Sequence, residues 1–153
     1  MRDCVRGTQA VLLGEYRHSI DAKGRVALPA RFRAKLGGTV VVGRGFGREL
    51  VVYSEDGYES FLEKIAGLDR FKGKVRDVQR VFAASARAVD VDKAGRLNLP
   101  DQLVEWAGLE QEAVVIGDVD HAEIWSPAEW QGFQERTTDI ASIAEELSDL
   151  GVI

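Results

Sequence analysis

The sequence predicts an α+β chain, mainly β with helices, in which two tandem copies of one unit interlock into a single β-barrel about a pseudo-two-fold axis. Three observations predict this. The segment Ile20-Asp21-Ala22-Lys23-Gly24-Arg25-Val26-Ala27-Leu28-Pro29 recurs 71 residues later as Val91-Asp92-Lys93-Ala94-Gly95-Arg96-Leu97-Asn98-Leu99-Pro100, with seven of ten positions matching in identity or apolar type. The register persists downstream: Val51-Val52-Tyr53-Ser54 is answered 72 residues on by Glu123-Ile124-Trp125-Ser126, Tyr58 by Trp130 and Phe61 by Phe133. Each copy has only about 50 to 60 residues, a size at which a unit alone buries about 60% of its unfolded surface. The two should therefore share a core and pair their short strands with each other.

Each element follows from local pattern. Ile20, Val26 and Leu28 flank Ala22-Lys23-Gly24, which predicts strand, tight turn and strand, with Gly24 supplying positive φ. Pro29 stops the second strand, and residues 31–36 have room for two helical turns before Gly37-Gly38. Residues 39–42 are β-branched and strand-like, the Gly-rich stretch 43–47 is a turn, and 50–53 is the next strand. Ser54 caps a helix to about Ala66, with Tyr58, Phe61, Leu62 and Ile65 on one face. The second copy repeats this with a hairpin over 88–99, a short helix over 100–107, strands over 113–117 and 122–125, and a final helix. That last helix opens on Ser126-Pro127-Ala128-Glu129, a capping box with Pro at the first helical position. Between the copies, Val75, Val78, Phe82 and Ala86 space an amphipathic helix over 74–88; Ile140, Ile143, Leu147 and Leu150 space another over 138–150. Such stripes are packing surfaces, in the core or against another subunit. The chain divides into an extension (1–12), a first repeat (13–66), a connecting helix (67–87), a second repeat (88–136) and a tail (137–153).

Composition narrows the class. With 153 residues, 45% hydrophobic and 29% charged, the chain has material for a packed core, which argues against disorder. The single Cys4 cannot form an intramolecular disulfide, so a reducing, cytoplasmic setting is expected. No apolar run approaches the roughly 18 residues of a membrane span, and residues 10–13 are too short for a signal-peptide core despite Arg2 and Arg6.

A net charge of −5 argues at first sight against nucleic acid, yet the charge is segregated. Arg17, Lys23, Arg25, Arg31, Arg33 and Lys35 accompany one acid, Asp21, giving +5 between residues 17 and 35; residues 101–153 hold 13 acids and Arg136, giving −12. Arg25 follows a turn glycine and can be carried at the hairpin tip, where its planar fork suits a phosphate or the O6/N7 edge of guanine. Arg96 repeats the placement. Asp21 and Asp92 are expected to orient these arginines by local ion pairs; the bland alternative is that each pair only braces its turn. Arg31, Arg33 and Lys35 are equally readable as the solvated face of a short helix. One chain offers few contacts, so oligomerisation would raise affinity by effective concentration.

Enzymatic function is not expected. His18, His121 and Cys4 cannot build a His/Cys metal site without carboxylates, no Ser or Cys stands beside a base, and either His reads as a surface or turn residue. Gly43-Arg44-Gly45-Phe46-Gly47 leads into a strand, not a helix, so it lacks phosphate-cradling geometry. Trp106, Trp125 and Trp130 fall at apolar-periodic positions and read as core. No catalytic residue, metal, cofactor, membrane or small-molecule ligand is expected.

The paired hairpins at 21–25 and 92–96, each followed by Leu-Pro, resemble the MraZ family of bacterial transcriptional regulators. Leu13-Gly14-Glu15-Tyr16, Ile116-Gly117 and Glu123-Ile124-Trp125 are also similar to that family, and the likeness covers roughly 13–136. The resemblance implies tandem swapped hairpins of the AbrB/SpoVT type, a ring-shaped homo-oligomer and a nucleoid-associated protein. It further implies sequence-specific binding of double-stranded DNA at short repeated boxes upstream of the division and cell-wall gene cluster. The implied contacts are Arg17, Lys23, Arg25, Arg31, Arg33, Lys93 and Arg96, with Asp21 and Asp92 orienting; Ala94, where the first copy has Lys23, should weaken the second hairpin's hold on an anion. The alternative is an AbrB-like antitoxin or protein-interaction module whose acidic amphipathic tail wraps a partner, although such antitoxins usually carry a single hairpin copy.

Overall fold

The computed structural model of the chain describes residues 11–69, 71–137 and 139–153; the rest of the expected extension, residues 1–10, lies outside them. The first copy supplies β1 (Glu15–Ser19), β2 (Arg25–Ala27), α1 (Ala30–Leu36), β3 (Thr39–Arg44), β4 (Leu50–Ser54), α2 (Glu55–Ala66) and α3 (Gly73–Ser85). The second supplies β5 (Arg87–Asp90), β6 (Arg96–Asn98), α4 (Asp101–Ala107), β7 (Glu112–Asp118), β8 (His121–Trp125), α5 (Pro127–Arg136) and α6 (Ile140–Asp149). Six strands form one antiparallel sheet in the order β1-β7-β8-β4-β3-β5, and β2 and β6 form a separate ribbon. Exchanging each strand for its counterpart in the other copy reverses the six-strand order onto itself, which places a pseudo-two-fold between β4 and β8.

The two arms of each hairpin find partners in the opposite copy, the pairing across the pseudo-two-fold that the sequence predicts. Arg17 of β1 faces Val114 of β7, and Val26 of β2 faces Leu97 of β6. Likewise β5 leaves its own β6 and pairs with β3, Val89 facing Val40. The cause is length: a three-residue arm makes too few ladder bonds to hold a hairpin alone, whereas crossing over lets both arms bury their apolar residues. The exchange is locked at the turns, where Leu28 N–H donates to the Gly95 carbonyl at 2.9 Å and Leu99 N–H to that of Gly24 at 3.0 Å. The shared core draws on both copies: Val26, Leu28, Phe32, Val40, Val42, Leu50 and Val52 pack with Leu97, Leu99, Leu103, Val115 and Ile124.

The predicted caps are present. Ser54 Oγ accepts from Gly57 N–H at 3.0 Å and Ser126 Oγ from Glu129 N–H at 3.1 Å. The connecting helix expected over 74–88 ends earlier, at Ser85, because 87–90 are drawn out as the edge strand beside β3. Leu12 is buried and exchanges backbone hydrogen bonds with Val119 at 2.8 and 3.0 Å. The tail helix forms over Ile140–Asp149 but buries none of its side chains.

Candidate nucleic-acid interface

The β2–β6 ribbon carries the two motif turns side by side. Period-2 alternation sends Val26 and Leu97 inward, where both are fully buried, and leaves Arg25, Ala27, Arg96 and Asn98 on the outer face. Arg25 is opposite Asn98 and Arg96 opposite Ala27, so the two arginines are diagonal neighbours at roughly 7–8 Å.

Each turn is built by its aspartate. Asp21 Oδ1 accepts from the N–H groups of Lys23 (3.0 Å) and Arg25 (2.9 Å), while Oδ2 accepts from Arg25 Nε at 2.6 Å. Asp92 repeats the pattern with Ala94 (2.9 Å), Arg96 N–H (2.8 Å) and Arg96 Nε (3.0 Å). An asparagine or glutamate could not satisfy both backbone donors and the guanidinium with one short anionic group. The backbone N–H of Arg25, first among the causes, holds the Asp21 carboxyl below its ordinary range, and that of Arg96 does the same for Asp92. The copies touch here, since Arg96 Nη1 lies 3.8 Å from Asp21 Oδ2. Because Nε is taken by the aspartate, the Nη groups are the part left for a further acceptor on Arg25, while on Arg96 Nη1 already faces Asp21 and Nη2 is left.

Gly24 (φ 78°) and Gly95 (φ 80°) adopt the left-handed conformation that both turns require. The surroundings differ. A Cβ on Gly24 would meet only ordinary contacts, whereas one on Gly95 would collide with the guanidinium of Arg33, which donates to the Leu28 carbonyl at 3.2 Å. Arg33 thus reaches from α1 across to the second turn.

Among the other expected contact residues, Lys23 and Lys93 are exposed on the two turns, Arg31 and Lys35 are exposed on α1, and Arg17 is exposed on β1. Asn98 shares the outer face with Arg25 and Arg96 and was missed in sequence; its parity with Arg96 is the signal that finds it. Trp106, read as core, is only partly buried, with the guanidinium groups of Arg44 and Arg48 over its ring at 4.4 and 5.3 Å.

The histidines, expected at the surface or in turns, are half-buried in strands. His18 Nε2 is buried with no partner among the described residues. His121 stacks on Tyr53 at 4.6 Å, its Nδ1 2.7 Å from Asp120 and its Nε2 3.0 Å from Glu123. Burial pulls the imidazole down, but the carboxylates of Glu123, Asp120 and Asp118 outweigh it and raise the pKa to about 9. Asp118, His121 and Glu123 offer ligand atoms within 4.8 Å of one another, and the imidazolium supplies their counter-charge.

The family described as "MraZ protein, putative antitoxin-like" matches twice, over residues 11–81 and 82–151, once for each half of the chain. A protein of Natranaerobius thermophilus named Transcriptional regulator MraZ is 37% identical over 143 residues, 93% of this chain and the whole of the relative. Like-named proteins of Syntrophomonas wolfei and Thermomicrobium roseum are 36% and 40% identical, over 93% and 92% of this chain and 100% and 99% of their own lengths. With a match to each repeat and relatives alike from end to end, the chain belongs to the MraZ family.

Proposed function

We propose that the protein is a DNA-binding transcriptional regulator that reads duplex DNA with the outer face of the β2–β6 ribbon. The observation that carries this reading is the pair of aspartate-held arginines, Arg25 and Arg96, on one narrow two-stranded ribbon with Lys23 and Lys93 at its turns. A two-stranded ribbon fits the major groove, and an oriented guanidinium edge suits guanine O6/N7 or a phosphate. The relatives named as transcriptional regulators support the same reading. Arg17, Arg31 and Arg33 contribute positive potential beside it. The acidic C-terminal third, −12 over residues 101–153, orients the ribbon toward the duplex and the rest away from it.

The turns themselves hold four cations against two carboxylates, so a single chain binds weakly. A ring-shaped homo-oligomer spanning repeated promoter boxes upstream of the division and cell-wall gene cluster multiplies the contacts. Mobility shifts with the upstream region of its own operon test this. Arg25→Ala and Arg96→Ala should each weaken binding by about 5- to 150-fold, the span of one bidentate base contact. Unchanged affinity and salt slope in both folded variants would refute it.

A further inference from the structure

The two halves are alike in their aromatic clusters and unlike in what covers them. In the first, Tyr53, Tyr58 and Phe61 pack with ring centroids 5.4, 5.6 and 5.7 Å apart. Helix α3 lies over them: Phe82 is buried against Phe61 at 5.7 Å, and the Tyr58 hydroxyl donates to the Phe82 carbonyl at 3.1 Å. In the second, Trp125, Trp130 and Phe133 repeat the cluster at 5.3, 5.4 and 5.4 Å. Here the surface stays open as a cleft of about 740 Å³, with Ile116, Trp125, Trp130 and Phe133 as its apolar lining and Arg48 and Arg136 set among four carboxylates around it. Trp130 is only 9% exposed, and its Nε1–H is buried with no acceptor among the described residues. At the matching place in the first half, the donor meets a helix carbonyl. The cleft lacks a helix.

The sequence carries the matching helix. The stripe Val75, Val78, Phe82 on α3 recurs 65 residues later on α6 as Ile140, Ile143, Leu147. No side chain of α6 is fully buried: Ile140 and Ile143 are 65% and 41% exposed and Leu147 is half-buried. A ten-residue helix is too short to persist in water on its own, and its start is independently capped, Asp139 Oδ1 accepting from Ser142 N–H at 3.3 Å. At 100° per residue Glu145 and Asp149 fall on the face opposite the Ile140–Ile143–Leu147 stripe, so the face that α6 offers the aromatic cluster is apolar. In its own chain α6 leaves the cleft open.

We propose that the Trp125–Trp130–Phe133 cleft is the seat of helix α6 from a second copy of the chain. Leu147 takes the place that Phe82 holds in the first half, and an α6 carbonyl accepts from Trp130 Nε1. The proposal rests on the oligomeric reading above and assigns the interface of that assembly. Cleft and helix are different surfaces, so the contact is head-to-tail and can close into a ring.

Light scattering of the full chain at micromolar concentration tests it, with disulfide trapping in a Cys4→Ser background. Leu147 is only half-buried, on a helix with no fully buried side chain, so Leu147→Glu should keep the fold by circular dichroism and reduce the assembly to a 16.8 kDa monomer. Trp130→Phe, which keeps the ring packing and removes the N–H, should weaken association at least tenfold. Mixing Phe133→Cys chains with Leu147→Cys chains should give a crosslinked heterodimer. A monomeric wild type would overturn this interface and the oligomeric reading together. An assembly that Leu147→Glu leaves intact overturns the interface alone. So does a chain carrying both cysteines that closes on itself without forming dimers.

Discussion

Alanine at the two turn glycines should separate turns that are alike in backbone and unlike in surroundings. Gly24 and Gly95 have φ of 78° and 80°, so either substitution incurs the left-handed strain of about 1–2 kcal/mol. At Gly24 that is the whole cost, because the nearest atoms to a new Cβ are the Leu99 carbonyl at 3.6 Å and Asn98 Oδ1 at 4.0 Å. At Gly95 the Cβ displaces the Arg33 guanidinium and breaks its hydrogen bond to the Leu28 carbonyl. Losing that charge-assisted bond on a half-exposed side chain adds about 1 kcal/mol. Gly95→Ala should therefore cost about 2–3 kcal/mol against 1–2 for Gly24→Ala in urea unfolding. In an Arg33→Ala background the Gly95→Ala cost should fall back to that of Gly24→Ala, a coupling of about 1 kcal/mol in a double-mutant cycle. Equal costs at the two glycines, with no coupling to Arg33, would show that Arg33 does not rest on the second turn and returns it to the solvated face of α1.

Two further outcomes follow from burial and charge. His121 has a folded pKa of about 9 against 6.5 unfolded, so its stabilisation is complete below pH 6.5 and drains away as pH rises to 9, by about 3 kcal/mol. Urea midpoints should fall across that window in the wild type and stay level in His121→Gln; a level wild-type profile refutes the assigned network. Leu97 is fully buried opposite Val26, so Leu97→Ala should cost about 2–5 kcal/mol and loosen the ribbon. Hydrogen exchange then quickens first at β2 and β6, and a variant of wild-type stability would show that the ribbon is not part of the core.

Repetition made most of the fold legible. The two hairpin turns, the Ser54 and Ser126 caps and the order of strands and helices are local signals, each set by a few adjacent residues. Strand exchange was anticipated only in general form. Which arm pairs with which depends on bonds between residues about 45 to 100 apart, and periodicity along one strand contains no record of them. For the same reason the helix before β5 looked longer than it is: Ala86 continues the helical stripe, but sheet pairing at residues 87–90 overrides it. Asp21 and Asp92 were readable because their partners lie within four residues. Arg33 crossing to Gly95 and His121 stacking on Tyr53 were not, since each contact spans over sixty residues of chain.

From sequence, bracing the turn and reading a ligand stand as rival roles for the Asp–Arg pairs. On the DNA-binding function proposed above, they are successive steps of one mechanism. Each aspartate spends one oxygen on two backbone donors and the other on Nε, which shapes the turn and fixes the plane of the guanidinium in one arrangement. An arginine free in solvent must surrender its rotamer entropy when it binds; here the intramolecular ion pair has already removed much of it. The same pairing lowers the net charge of the ribbon, so long-range attraction for phosphate is weaker than the cation count suggests. On the proposed function, this exchanges affinity per chain for geometric definition, and affinity then comes from repetition: two pre-set arginines per chain and, in the proposed ring, many chains per assembly. On that logic, Asp92→Asn raises the net positive charge of the ribbon yet loosens Arg96. It should strengthen non-specific DNA binding while narrowing the preference for the operon's own boxes by about 1–3 kcal/mol, the worth of one bidentate contact. Competition mobility shifts with specific and scrambled duplexes measure both, and a gain in specificity would refute the preorganising role of the aspartate.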